Sequence, residues 1–245
     1  MNMPTREPAA GAHSGAGSSD NRLLAALPRK DRLRILAACE PVQLRSTETL
    51  HQAGTRLRHV YFPTGSFISM VTPLDTCASL EVALVGNEGM VGVPLLLGIS
   101  ASSLNHVVQG TGDALRIGVG AFQQELKRSA PLRRRIGRYA YVNLYQLAQT
   151  AACTRFHTVE ERLARWLLMA HDRSPSDAVH ATHEFLAYML GVRRAGVTKA
   201  ATALQRRGCI RYSRGDITIL DRRGLQGSAC GCYAAATKLY QRILG

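Results

Sequence analysis

Thr182–Asp221 constrains this chain more than any other stretch. It reads THEFLAYMLGVRRAGVTKAATALQRRGCIRYSRGDITILD. Thr182 can cap a short helix carrying Glu184 and the apolar Phe185, Leu186, Met189 and Leu190. Gly191 then breaks that helix, because its backbone turns at positive φ without a steric penalty. Val197, Ala200, Ala201 and Leu204 recur at three- and four-residue spacing, which predicts a second helix over about residues 194–207. Gly208 sits where a helix C-terminus favours glycine. Two short alternating runs follow, 209–213 and 217–220, joined by Arg214-Gly215-Asp216, and predict a tight β-hairpin.

Helix, short turn, helix and hairpin is the pattern of a winged helix-turn-helix. A major groove about 12 Å wide admits one helix, whose N-terminal residues meet the base edges. Here those residues are Arg193, Arg194, Thr198 and Lys199, with Gly196 on the same turns. Two arginines at a helix start conflict with the positive end of the helix dipole. A phosphate or a guanine edge resolves that conflict. Thr182 and Arg214 are placed to approach phosphate. A small helical pair inside a larger core, with a solvated basic face, would use some of the same signals. The agreement of turn glycine, helix period, closing glycine and wing argues against it.

These residues resemble the Crp/Fnr superfamily of bacterial transcription regulators. Gly191-Val192-Arg193-Arg194-Ala195-Gly196-Val197-Thr198 lies where that family has its turn and recognition-helix start. By the resemblance, Arg194 stands at a guanine-reading position and Lys199 at a second basic contact. Ala195 stands where many members carry a glutamate, so the family's usual TGTGA-type half-site is not implied. The resemblance extends more weakly from about Leu23 onward. It implies an α+β fold with an N-terminal jelly-roll-like β-roll, a long dimerisation helix and a C-terminal winged helix-turn-helix. It also implies a homodimer on a near-palindromic double-stranded DNA operator, with RNA polymerase as a further partner.

The charge agrees. The chain carries 31 Lys and Arg against 17 Asp and Glu, a net +14. That balance suits a polyanion. No apolar run approaches the roughly 20 residues of a membrane span, so no membrane partner is expected. The first twenty residues lack the apolar segment of a secretory signal. A cytoplasmic location follows as the expectation, with the six cysteines as reduced thiols.

Taken in order, residues 1–21 are rich in Gly, Ala, Ser and Pro and predict a disordered arm. Residues 22–129 open with helical pieces interrupted by Pro28, then turn to short apolar runs split by glycine and proline. The runs 60–62, 67–71, 80–85 and 114–119 are strand candidates of a roll. Residues 130–155 predict the long helix, with Pro131 in its first turn. Its seam of Ile136, Ala140, Leu144, Leu147 and Ala151 is the candidate dimer interface; burial within one protomer is the alternative. Residues 156–225 form the DNA-binding unit, beginning with a hinge at Phe156-His157-Thr158 and a helix over 159–171. Residues 226–245 predict a tail helix.

Residues 59–115 contain no lysine or arginine. By the family resemblance, a cyclic-nucleotide site would need a Gly-Glu pair for the ribose and an arginine for the phosphate. The matching stretch is Val91-Gly92-Val93-Pro94 followed by Ser103-Leu104-Asn105-His106, which holds neither. A buried phosphate without a cation is poorly stabilised, so no binding of cyclic AMP is expected. Gly86–Gly98 reads first as a tight crossover of the roll. Its alternative is a pocket for a non-nucleotide ligand or redox signal, with Glu88, Met90 and Val93 as candidates. No cofactor or metal site is expected: the histidines lack ligand spacing, and Cys230 and Cys232 alone cannot complete a tetrahedral site. No nucleophile–base pair, paired carboxylates or metal triad at usable spacing suggests an enzyme.

Overall fold

The computed structural model describes residues 20–73 and 79–245. The arm expected from composition lies, up to residue 19, outside the described residues. Asn21, counted with that arm, is instead buried. Its side chain caps α1 (Arg22–Ala25) by accepting from the amides of Leu23 and Leu24. Its amide nitrogen donates to the carbonyls of Pro63 and Gly89, 3.0 and 2.8 Å away. Pro28, which has no amide hydrogen to give, separates α1 from α2 (Arg29–Ala37).

The roll has two antiparallel sheets. The first orders β1 (Glu40–Leu44), β7 (Gly112–Gly118) and β3 (His59–Pro63) as β1-β7-β3. The second orders β2 (Thr49–His51), β6 (Asn105–Gly110), β4 (Phe67–Pro73) and β5 (Ser79–Val85) as β2-β6-β4-β5. Strand alternation assigns the two faces of β3. Tyr61 points between the sheets with Leu44, Ile68, Val108 and Ala114. Val60 and Phe62 point the other way, into a helical cluster with Leu24, Ile35, Phe122 and Ile136. The crossover with Gly92 at φ 117° leads into a short 3₁₀ turn at Val93–Leu97.

A separate helix precedes the long one expected over residues 130–155. α3 (Val119–Arg128) and α4 (Ala130–Phe156) part at Ser129, whose hydroxyl accepts from Leu132 N at 3.1 Å. Pro131 fits there because a first-turn residue needs no amide hydrogen. Arg34 pairs with the buried Glu125 at 2.6 Å and ties α2 to α3.

α5 (Val159–His171) starts on a capping box: Thr158 and Glu161 satisfy each other's exposed amides. α6 (His183–Leu190) and α7 (Arg194–Arg206) follow, then the wing of β9 (Ile210–Ser213) and β10 (Asp216–Ile219). A strand absent from the sequence expectation, β8 (Ala178–His180), pairs with β10. α8 (Arg222–Ser228) and α9 (Cys232–Leu244) complete the chain, and α9 packs along α4. The winged unit is not a separate body. Its core of Trp166, Leu167, Leu186, Leu204 and Ile217 runs without a break into Phe67 and Leu84 of the roll.

Candidate nucleic-acid interface

α7 is built with one wet side. Val197, Ala200, Ala201 and Leu204 are buried, and Arg194, Thr198 and Lys199 are exposed. Gly191 makes the turn before it at φ 62°, ψ 44°, and lies against Leu80 of the roll. Arg193 is the N-cap of α7 but caps it with no side-chain bond, and no acid stands in the first turn. The first amides of α7 therefore keep their positive field, and two guanidinium groups add to it. Among the described residues, no carboxylate lies within 4.0 Å of Arg193, Arg194, Lys199 or Arg214 (the ten ion pairs involve other cations). Arg193 and Arg194 at the helix start, with the exposed Lys199 further along α7 and Arg214 on the wing, offer cations to an anion.

The wing supplies its edge. Asp216 pairs with Ser213, so the hairpin turn is the two residues Arg214-Gly215, at φ 50° and φ 92°. Two positive φ values define the tight turn that matches strand twist, and glycine suits the second position. Arg214 holds the first as a non-glycine residue, which projects its cation from the wing tip. The turn is one residue shorter than the sequence suggested.

A polar contact locks wing, α6 and α7 together. Thr198 Oγ1 lies 3.0 Å from His183 Nδ1 and donates to Arg194 O at 3.1 Å. The His183 ring stacks on Tyr212 of β9, with centroids 4.2 Å apart. Burial, and then the charge of Arg194, hold the His183 pKa below its usual value. Neither His183 nor Tyr212 was a candidate from sequence; a histidine fifteen residues before a threonine carries no local signal. Thr182 does what its type predicts: its hydroxyl accepts from Phe185 N at 3.1 Å as the N-cap of α6. Gly196 is half-buried. It sits on the side of α7 nearer Val159, where a Cβ would be 3.8 Å from that side chain.

The remaining candidates separate. Along α4, Leu144 is 62% exposed, Ala151 is exposed, and Ala140 and Leu147 are half-buried. Ile136 is 1% exposed inside the roll's helical cluster, so it faces the protomer's own core and not outward. Tyr141, at 50% exposure, takes its place on the outer stripe. Met90 is also core, and Val93 packs against that core. A cavity of about 290 Å³ lies where Glu88, Tyr139 of α4, Arg173 at the end of α5, Arg222, and Tyr233 and Tyr240 of α9 converge. The cysteine pair is not alone either: Cys230 and Cys232 meet Cys153 and His157.

Fold and basic face together define a protein with a jelly-roll-type domain joined by a long helix to a winged helix-turn-helix. Residues 161–227 match the sequence model of the Crp-like helix-turn-helix domain. The fold is shared with solved structures described as Crp/Fnr-family transcriptional regulators. A protein described as a transcriptional regulator of that family from Eubacterium rectale superposes with TM-score 0.65 at 17% identity, over 84% of this chain and 96% of that one. FixK2 from Bradyrhizobium japonicum gives TM-score 0.66 at 14% identity, over 78% and 98%. A CRP-family transcriptional regulator from Thermus thermophilus gives 0.64 at 20%, over 77% and 96%. No curated protein matches the chain in sequence.

Proposed function

We propose that this chain is a homodimeric, sequence-specific DNA-binding transcription regulator that works without cyclic AMP. The observation that carries this is the exposed set Arg193, Arg194 and Lys199, unpaired at the N-terminus of α7, with Arg214 on the wing beside it. Arg194 reads a base edge, most simply the O6 and N7 of a guanine. Arg193 and Lys199 share base and phosphate contacts, and Arg214 holds phosphate. Two copies of α7 in successive major grooves, about 34 Å apart, read a near-palindrome. RNA polymerase is the protein that such a complex would recruit or obstruct.

The roll supports independence from cyclic AMP. No lysine or arginine occurs between residues 59 and 115. Its interior holds two histidines instead, His51 and His106, with ring centroids 5.5 Å apart. Burial drives the His106 pKa down to about 3, so it brings no charge to a phosphate.

Fluorescence anisotropy on the operator recovered from co-purifying DNA, and on random duplex, tests the assignment. Arg194→Ala costs about 1–3 kcal/mol on the operator and little on random DNA. Arg214→Asn, which keeps the left-handed turn while removing the charge, weakens both duplexes alike. Cyclic AMP changes neither titration. Equal losses on both duplexes for both variants overturn the base-reading role.

A second reading has its own observation. The 290 Å³ cavity joins roll, long helix, winged unit and tail, and suits a small non-nucleotide effector that would shift one against another. DNA binding by additive-free protein separates the two: tight operator binding supports the constitutive regulator, and binding only with a cell extract's small-molecule fraction supports the gated one.

A further inference from the structure

The last turn of α4 and the start of α9 bring four donor groups together. Cys153 and His157 lie four residues apart, one helical turn, so both project to the same side. Cys230 and Cys232 approach from the loop and first residue of α9. Cys153 Sγ is 3.4 Å from Cys230 Sγ, and Cys232 Sγ is 3.7 Å from His157 Nδ1. All four donor atoms lie within 4.8 Å of one another. The three cysteines are 1–6% exposed and form their own small cluster, whereas His157 is half-buried.

We propose that Cys153, His157, Cys230 and Cys232 form a Cys₃His site for a zinc-type divalent cation. Metal–sulfur bonds of about 2.3 Å and a metal–nitrogen bond of about 2.0 Å put tetrahedral donors roughly 3.5–3.8 Å apart. The observed separations fit one ion after shifts of an ångström or less. An iron–sulfur cluster places its own iron and sulfide between the thiolates, so it needs them farther apart. Soft thiolates with one imidazole select zinc over magnesium or calcium. With three thiolates and a neutral imidazole, a divalent ion leaves one negative charge, and binding releases three protons.

That charge has a counterpart already in place. Arg162 and Arg165 of α5 are both buried and within electrostatic reach of Cys153. Their guanidinium groups bond to Leu190 O and Thr150 Oγ1; among the described residues no carboxylate lies within 4.0 Å of either, and Glu81 is the acid within electrostatic reach of Arg165. Two desolvated cations are costly beside neutral thiols and favourable beside a thiolate-rich ion. The site would staple the tail to the hinge between α4 and the winged unit. It stands whether or not the chain binds DNA.

The test uses the full chain, free of a histidine tag, reduced under argon and stripped with a chelator, with cobalt(II) chloride as probe. The expected result is an end point of one cobalt per chain, with visible tetrahedral d–d bands and near-ultraviolet thiolate-to-cobalt absorption, displaced by zinc chloride. Cys153→Ser and Cys232→Ser remove that end point, and Cys209→Ser leaves it unchanged. Absence of the thiolate band, an end point that survives Cys153→Ser, or acid-labile sulfide in the protein as purified overturns the proposal. Should Cys153→Ser fail to fold, alkylation of zinc-loaded wild-type protein decides. Protection of Cys153, Cys230 and Cys232 in the zinc-loaded protein that is lost when the same protein is stripped with a chelator supports the site, and equal modification of the three with and without zinc overturns it.

Discussion

Glu81 shows how much one residue can carry. It lies on β5, yet its carboxyl faces the winged unit: Oε1 accepts from the indole of Trp166 at 2.9 Å, and Oε2 bonds to Ser69 Oγ. Burial pushes its pKa up to about 7, and those two bonds keep it from rising further. A carboxyl that holds its proton more tightly when folded favours the fold at low pH. The advantage is full below the ordinary carboxylate range, declines from there to about pH 7, and is gone above it. Glu81→Gln keeps the Trp166 bond and removes the titration. The Tm of Glu81→Gln minus that of wild type therefore grows between about pH 5 and 7 and levels off beyond. Parallel Tm-against-pH curves would rule out a buried, titrating Glu81.

At the scale of elements, the proposed dimer rests on an exposed apolar stripe of α4. Tyr141 and Leu144, at 50% and 62% exposure, lie on a stripe that continues through Ala151. Such a stripe is best buried by a twin helix across a two-fold axis. Tyr141→Glu combined with Leu144→Glu gives a folded monomer by light scattering, because neither side chain supports the protomer's own core. A dimer that persists in that variant places the interface elsewhere. Much of this layer was legible in the sequence. The bounds of α5, the turn at Gly191, the apolar face of α7 and the break at Pro28 each followed from spacing or a single residue type. What escaped depended on partners distant in sequence. Ile136 shares the helical period of the outer seam, and only the packing of Phe122 and Leu132 shows that it turns inward. β1, β2 and β6 are short and polar on one side, and their pairing with β7 and β4 supplies the regularity that their own residues lack. Cys153 and His157 did carry a signal, their four-residue spacing. It gained meaning only when the fold delivered Cys230 and Cys232 from 77 residues further on.

Across the whole molecule, the winged unit is held against the roll by an apolar core and a few polar ties. The strongest is Arg173 with Glu88, 2.7 Å apart and 13% and 12% exposed. Arg173 also donates to Met169 O at 2.8 Å. Either single alanine variant strands a partly buried charge and costs about 3 kcal/mol, whereas the double variant costs less than the sum. A double-mutant cycle by urea denaturation measures this, and additive losses would show that the pair does not couple roll to winged unit. If the docked posture matters for the output, the same variants also expand the particle in small-angle X-ray scattering.

The missing cations of the roll have an effect beyond ligand choice. With every lysine and arginine outside residues 59–115, and Asp75, Glu81, Glu88 and Asp113 within them, charge is unevenly placed along this chain. In the field of a long polyanion such a particle feels a torque, and it would meet DNA already turned basic side first. Ionic strength would then act mainly on how often an encounter succeeds, and much less on how long a completed complex lasts.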